Sequence, residues 1–129
     1  MTYPLSRILS TATAAYGAFA LFKPDHLGSA LDAPAEQMPT FDLMAYTYAL
    51  RDIPVSSVGM FASSPQLVTA SMLMRIASDF GDATILGLNI QDEQVRAKAL
   101  KVTLGWGALN VLGLLIDRRR ERRRIRRIV

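Results

Sequence analysis

The chain has 129 residues, the length of one domain, and 50% of them are hydrophobic. It contains no cysteine and one histidine, His26. This composition excludes disulfides, thiolate nucleophiles, cysteine-ligated metals, histidine-pair zinc sites and bis-histidine haem, so we expect no metal and no cofactor. The net charge of +4 is unevenly placed, because residues 117–129 hold eight arginines against two acids and residues 1–116 are slightly acidic.

Four apolar stretches each have about the 20 residues that cross a bilayer as a helix. They are residues 5–22, 41–63, 66–90 and 99–116. Segments with proline, glycine, serine or acidic residues separate them, namely residues 23–28, 34–39, 63–65 and 91–93. The sequence shows no strand pattern. It therefore predicts an all-α fold: a four-helix transmembrane bundle over residues 1–116 with an Arg-rich C-terminal extension over residues 117–129.

Residues that favour helix N-termini stand at three of these breaks. Thr40 can cap the second helix, and Asp92 can open the fourth. Ser64 followed by Pro65 suits the N-cap and first position of the third helix. The sequence thus predicts where three of the four helices begin.

The orientation in the membrane follows from the basic tail. Lysine and arginine close to a span resist translocation, so the tail places the C-terminus in the cytoplasm. Four spans then place the N-terminus there as well. The prediction is a multi-pass protein of the cell membrane with both termini cytoplasmic.

Each predicted helix carries one polar or small-residue face. In the third helix this face covers about 100° of arc and the remaining surface is apolar. A helix with a polar interior side and lipid on its other sides has this pattern, whereas a surface helix of a soluble protein has a broader polar face. The four faces are Ser6, Ser10, Thr13 and Gly17; Thr47, Tyr48, Arg51, Asp52 and Val55; Ser71, Arg75, Ser78, Asp79 and Asp82; and Thr103, Trp106, Asn110, Gly113 and Asp117.

Two other interpretations of the same helices stay open. The chain can be a soluble helical protein, because the uncharged cores of the first and fourth stretches are short. Alternatively, the first helix can be a cleaved signal sequence, since Ala18-Phe19-Ala20 loosely suits a signal peptidase.

Five ionisable residues lie inside the predicted spans: Arg51, Asp52, Arg75, Asp79 and Asp82. Charges at bilayer depth face inward, pair, or mark a site. Arg75 can pair with Asp79 along its helix, and Arg51 can reach Asp79 or Asp82 on the next helix. One carboxyl group is left over, and a protonated acid beside a carboxylate is the minimum for acid–base chemistry. The five are candidate catalytic residues; the alternative is a structural ion-pair network.

Three further residues are candidates for ligand binding. Tyr48 and Trp106 can offer aromatic walls or hydrogen-bond donors to a small amphipathic molecule. Asn110 shares the face of Trp106 on the fourth helix. Pro54 is expected to kink the second helix beside the charged residues and so open space for such a molecule.

The tail has the composition of a lipid-headgroup anchor and also of a nucleic-acid-binding segment. As an anchor it needs no other partner, because each basic residue near an anionic surface contributes about 1 kcal/mol. No aromatic residue is interleaved to stack on bases. We therefore expect binding to the lipid bilayer and its anionic headgroups and no nucleic acid, with an acidic protein as an alternative partner. The predicted headgroup residues are Arg118, Arg119, Arg120, Arg122, Arg123 and Arg124.

In size and layout the chain resembles the small four-helix membrane families of unknown function that are DoxX-like. The resemblance covers residues 1–116 and rests on helix number, span length and two charged patterns, Arg51-Asp52 and Arg75-x₃-Asp79-x₂-Asp82. It implies a four-helix membrane fold and, for some relatives, a place as an accessory subunit of a quinone-linked oxidoreductase. No residue here matches a quinone or haem site, so this implication reaches no named residue.

Three functions stay open from the sequence. The first is a non-catalytic accessory subunit or homo-oligomeric scaffold with a structural charge network. The second is a membrane enzyme or binding protein that uses Asp79 or Asp82 as acid and base, with Arg51 or Arg75 as the electrostatic partner. The third is a soluble helical protein with a nucleic-acid-binding tail.

Overall fold

The computed structural model of the chain describes residues 2–128 and is all-helical. Met1 and Val129, the outermost residues of the predicted domain and tail, lie outside the described residues. The structure contains α1 (Pro4–Phe22), α2 (Asp25–Ala30), α3 (Met38–Phe61), α4 (Pro65–Asn89) and α5 (Glu93–Arg126), with a 3-10 turn at Ala35–Gln37. The all-α prediction is confirmed, with one short helix more than the four predicted.

The additional helix, α2, occupies most of a segment that the sequence presented as a break. Pro24 and Gly28 suggested a turn there, but proline is well tolerated immediately before a helix. Gly28 is buried, and a Cβ at this position would lie 2.5 Å from the sulfur of Met38. Glycine at this position therefore permits close packing on α3.

Two of the three predicted helix caps are confirmed. The Ser64 hydroxyl accepts a hydrogen bond from the backbone N–H of Leu67, and Pro65 is the first residue of α4. The Asp92 carboxylate accepts hydrogen bonds from the backbone N–H groups of Gln94 and Val95. The prediction for Thr40 is wrong, because α3 begins at Met38 and Thr40 lies inside its first turn.

The fifth helix is longer than the predicted fourth span. It has 34 residues, or about 51 Å at 1.5 Å per residue. It begins at Glu93 rather than Ala99, and it continues without a break through Asp117 to Arg126. Most of the predicted tail is therefore a rigid extension of α5.

The four long helices contact one another in a closed order. α1 packs against α3 and α5, and α4 packs against the same two helices. One apolar cluster, Leu31, Phe41, Leu86, Val95 and Ala99, fills the end near α2. A second, Tyr3, Val68, Met72 and Leu114, lies near the opposite end. Between these clusters lie a third apolar cluster, Ala20, Ala45 and Ala49, and a group of buried polar side chains.

The interior contains many polar side chains, and many large apolar side chains are exposed. Within residues 2–128, ten polar or charged residues are buried: Ser6, Ser10, Thr13, Asp52, Ser56, Ser71, Arg75, Asp79, Asn110 and Asp117. Phe22, Phe61, Leu88 and Ile128 are among the exposed large apolar residues, each more than three-quarters exposed. Extensive exposed apolar surface of this kind marks a region that contacts another molecule or a membrane.

The predicted polar faces agree with the structure on three helices. Ser6, Ser10, Thr13 and Gly17 are all buried on α1, and every residue of the predicted faces on α4 and α5 is at least half-buried. On α3 the prediction is partly wrong, because Thr47 is exposed. The buried stripe of α3 is Phe41, Ala45, Ala49, Asp52, Ser56 and Gly59. Small residues dominate this stripe because α3 makes its most extensive contact with α1.

Within residues 2–128, α5 is the one helix that is long and apolar enough to cross a membrane by length and composition. Its best 18-residue window has a mean hydropathy of 1.6, and 28% of that window is buried. α3 and α4 have 24 and 25 residues, but each contains three charged side chains. All of these charges except Asp42, near the start of α3, belong to the site described next.

Candidate functional site

The five charged residues predicted to lie within the spans form one network between α3 and α4. Asp52, Arg75 and Asp79 are buried, whereas Arg51 and Asp82 are half-buried at the side of the network. The network lies between the first and second apolar clusters, near the middle of the four long helices. The structure therefore brings together all five residues that the sequence singled out.

Arg51 links the two helices at the open side of the network. Its Nη1 and Nη2 atoms donate to the two carboxylate oxygens of Asp82 at 2.9 and 2.8 Å. Its Nε donates to Oδ1 of Asp52 at 2.9 Å. The paired hydrogen bonds to Asp82 match the planar guanidinium to a carboxylate. They fix the position of α3 relative to α4 at this level. Of the two partners that the sequence left open for Arg51, Asp79 and Asp82, the structure shows Asp82.

Arg75 links the helices in the opposite direction. Its Nη2 donates to Oδ1 of Asp79 at 2.5 Å, one turn along α4 as predicted. Its Nη1 forms an ion pair with Asp52 of α3. Asp52 thus lies between two guanidinium groups, Arg51 and Arg75. The Arg75–Asp52 pair could not be predicted from spacing, because it depends on the register of two separate helices.

The fifth helix joins the network through Asn110. Its Nδ2 donates to Oδ2 of Asp79 at 3.3 Å and to the carbonyl of Trp106 at 2.9 Å. The indole Nε1 of Trp106 in turn donates to the hydroxyl of Thr13 at 3.1 Å. A continuous series of polar contacts therefore connects all four long helices.

The network contains two arginines and three aspartates, and each carboxylate has a positively charged partner. Asp82 is held by Arg51, Asp52 by both arginines, and Asp79 by Arg75 and Asn110. Nε of Arg75 and Oδ1 of Asn110 belong to this network and are among the buried polar atoms that have no hydrogen-bond partner within residues 2–128. The excess carboxylate is thus shared among neighbours and does not stand apart as an isolated acid.

The predicted ligand-binding residues do not converge on one space. Tyr48 lies on the open side, with the guanidinium carbon of Arg51 5.1 Å from its ring centroid. Trp106 and Asn110 lie on the other side of the network, next to Asp79 and α1. Pro54 lies within the continuous helix α3. Tyr48 and Trp106 therefore do not line one common ligand pocket.

Two contacts that the sequence did not reveal close one end of the helices. The Arg7 guanidinium donates at 2.7 Å to the carbonyls of Met60 and Ala62, at the C-terminal end of α3. Asp117 accepts from the backbone N–H of Ser6 at 2.7 Å, in the first turn of α1. A cation at a helix C-terminus and an anion at an N-terminus both complement the helix dipole. The sequence placed Asp117 on the inward face of its helix without a partner, and Arg7 was visible only as one charge in an apolar stretch.

The arginines beyond Asp117 have no comparable partners. Their side chains are exposed, and within residues 2–128 none of them forms a side-chain hydrogen bond or ion pair. Two open clefts lie between them. One is lined by Arg119, Arg122, Arg123 and Arg126, and the other by Arg120, Arg123, Arg124, Arg127 and Ile128.

Comparison of the chain with protein-family models, curated proteins and solved structures finds no match.

Proposed function

We propose that the chain is a small multi-spanning membrane protein, a four-helix bundle of α1, α3, α4 and α5, that acts as a non-catalytic accessory or scaffold component. In this proposal the network of Arg51, Asp52, Arg75, Asp79 and Asp82 holds the helices in register. The observation that carries the proposal is the combination of charged side chains buried between the helices with many large apolar side chains exposed on their outer faces.

The exposure of the apolar residues supports membrane embedding. Less than a third of the apolar window of α5 is buried, whereas the core helix of a soluble protein is mostly buried. Leu50, Leu73, Ile85 and Leu104 extend the exposed apolar surface over three helices. Lipid covers such a surface without cost, whereas water does not.

The pairing of the charges supports a structural rather than a catalytic task. Each guanidinium contacts two carboxylates, and charge pairs of this kind are the arrangement in which ionised groups are tolerated at membrane depth. A general acid or base needs access to a substrate. Asp52 and Asp79 lack that access, because they are buried among their partners.

One observation favours a second candidate function, a site for a small amphipathic ligand. The side chain of Arg51 is 32% exposed and that of Asp82 12% exposed, at the open side between α3 and α4. A ligand that binds there would contact Tyr48, Arg51 and Asp82. Thermal unfolding of Asp79→Asn and Asp82→Asn in detergent separates the two functions. The structural task predicts that both variants lose stability, and a ligand that stabilises the wild type but not Asp82→Asn would favour the second function.

The membrane proposal is tested by extraction and by cysteine labelling. Carbonate or high salt should leave the chain in the membrane pellet, and detergent should release it. Because the chain has no cysteine, single variants report topology without background. Ser29→Cys and Gln91→Cys should react with a membrane-impermeant maleimide in intact cells. Ser63→Cys, at the α3–α4 turn, should react only after permeabilisation.

Two results would overturn this proposal. Release by carbonate without detergent would exclude an integral protein. Labelling of Ser63→Cys in intact cells at the rate of Ser29→Cys would exclude the predicted topology. Ser29 precedes α3 and Ser63 follows it, so the proposed topology places these two residues on opposite sides of the membrane.

A further inference from the structure

The extension of α5 stands beyond the level at which the other long helices end. Asp117 contacts the first turn of α1, so this residue marks that level. α5 then continues to Arg126, about 13 Å further. Within this short distance the extension carries exposed arginine side chains at every position except Glu121 and Ile125. It is therefore the largest concentration of unneutralised charge in the described chain.

One face of the extension forms an open cleft lined by guanidinium groups. Arg119, Arg122, Arg123 and Arg126 line about 280 Å³ of open space. Their spacing of three, four and seven residues places them on the same side of the helix. Guanidinium groups bind phosphate oxygens through paired hydrogen bonds. The cleft thus has the donors for one phosphate, and none of these donors is engaged within residues 2–128.

The same face of α5 is apolar immediately before the cleft. Leu112, Leu115 and Ile116 are 55%, 48% and 40% exposed, and they precede the arginines at helical spacing. Ile116 and Arg119 are less than one turn apart, about 4.5 Å along the axis. An apolar stripe therefore leads directly into a cationic cleft.

The neighbouring face lacks this continuity. Arg120, Arg124 and Arg127 lie in line with Gly113, which is buried against Leu9 of α1. The surface below these arginines is thus covered by another helix. Both faces carry arginines. The first face continues into an exposed apolar stripe of α5, whereas the second continues into a surface that α1 covers.

We propose that the face formed by Leu112, Leu115, Ile116 and the four arginines of the first cleft binds an anionic phospholipid. The headgroup phosphate occupies the cleft, and the acyl chains lie along the apolar stripe. The proposal rests on the membrane embedding proposed above. Free phosphate or nucleic acid would use the cleft alone, whereas only a lipid uses both parts of the face.

Native mass spectrometry of the full chain in detergent tests this site with phosphatidylglycerol and phosphatidylcholine as probes. The variant Arg119→Gln/Arg122→Gln/Arg126→Gln removes the cleft. Its matched control, Arg120→Gln/Arg124→Gln/Arg127→Gln, removes the same charge from the neighbouring face. An arginine that contacts the headgroup contributes about fivefold in affinity, and in this proposal the arginines of the neighbouring face do not contact it. We expect the first variant to lose the preference for phosphatidylglycerol by at least about tenfold, and the control to lose less than about threefold.

Three results would overturn the proposal. Equal losses in the two variants would indicate diffuse attraction without a built site. Equal binding of the two lipids by the wild type would remove the need for a phosphate site. Tighter binding of inorganic phosphate or a single-stranded RNA oligonucleotide than of phosphatidylglycerol would assign the cleft to a soluble anion. Carbonate extraction of both variants keeps the two proposals separate, because it reports membrane embedding whether or not a lipid binds.

Discussion

Arg51 and Arg75 lie among carboxylates between the helices, whereas the arginines beyond Asp117 face away from the rest of the chain. The first two are each within contact of two aspartates. The others have no ion pair within residues 2–128. The difference shows that the surroundings of an arginine decide its task. With carboxylates on two helices it joins them, and without carboxylates it remains available to an external anion.

The largest effect is expected from breaking the paired region. Arg75→Met leaves three aspartates with one arginine and removes the charged partner of Asp79. Removal of one partner from a buried ion pair costs about 3–5 kcal/mol, so we expect a loss of this size in the free energy of unfolding in detergent micelles. Unfolding is followed by the helical circular dichroism signal as denaturing detergent is added.

A second substitution keeps this prediction testable if Arg75→Met folds poorly. The double variant Arg75→Met/Asp79→Asn removes both members of the pair, so it should recover at least about half of the lost stability. If the single variant is as stable as the wild type, Arg75 does not hold the helices together.

A smaller effect is expected at the boundary between the two regions. Asp117→Ala removes the carboxylate that caps the first turn of α1, and loss of a cap costs about 1–2 kcal/mol. Glu121→Ala is the matched control, because Glu121 lies one turn further along α5 and forms no side-chain hydrogen bond within the described chain. Equal loss in the two variants, measured by the same unfolding titration, would contradict the assigned cap.

The smallest effect on stability is expected in the unpaired region. The triple variant Arg119→Gln/Arg122→Gln/Arg126→Gln should unfold within about 0.5 kcal/mol of the wild type, because exposed side chains without partners contribute little to folding. Loss of three unpaired arginines should thus destabilise the protein less than loss of the single paired arginine in Arg75→Met. A loss above about 2 kcal/mol would show that the extension contributes to the fold.

The helices and their inward faces were largely predictable from the sequence. Serine, threonine and glycine at helical spacing on α1 identified its buried side, because small polar residues suit close helix contacts. The pairs Arg75–Asp79 and Arg51–Asp82 followed from spacing on one helix and from a short turn between two. In these cases the interacting residues lie one turn apart on the same helix, or on two helices that a short turn connects.

The contacts that were missed join parts of the chain whose relative register has no local signal. Asp52 pairs with Arg75 only because α3 and α4 align at that level. Arg7 reaches the end of α3, where it binds backbone carbonyls. Backbone partners depend on the fold and not on residue type, so the sequence pattern does not indicate them. On α3, Thr47 was assigned to the interior by its polarity, but packing against α1 favours the small residues Ala45 and Ala49 on the buried side.

The contact between Asp117 and the start of α1 also has a consequence for the order in which the protein is made. Ser6 and Asp117 are 111 positions apart, and a ribosome produces the chain from its N-terminus. The backbone N–H groups of Leu5 and Ser6 therefore exist throughout synthesis without the carboxylate that they bind in the finished molecule. Since α1 emerges well before α5, which completes it, a nascent chain released before residue 117 leaves α1 without its cap.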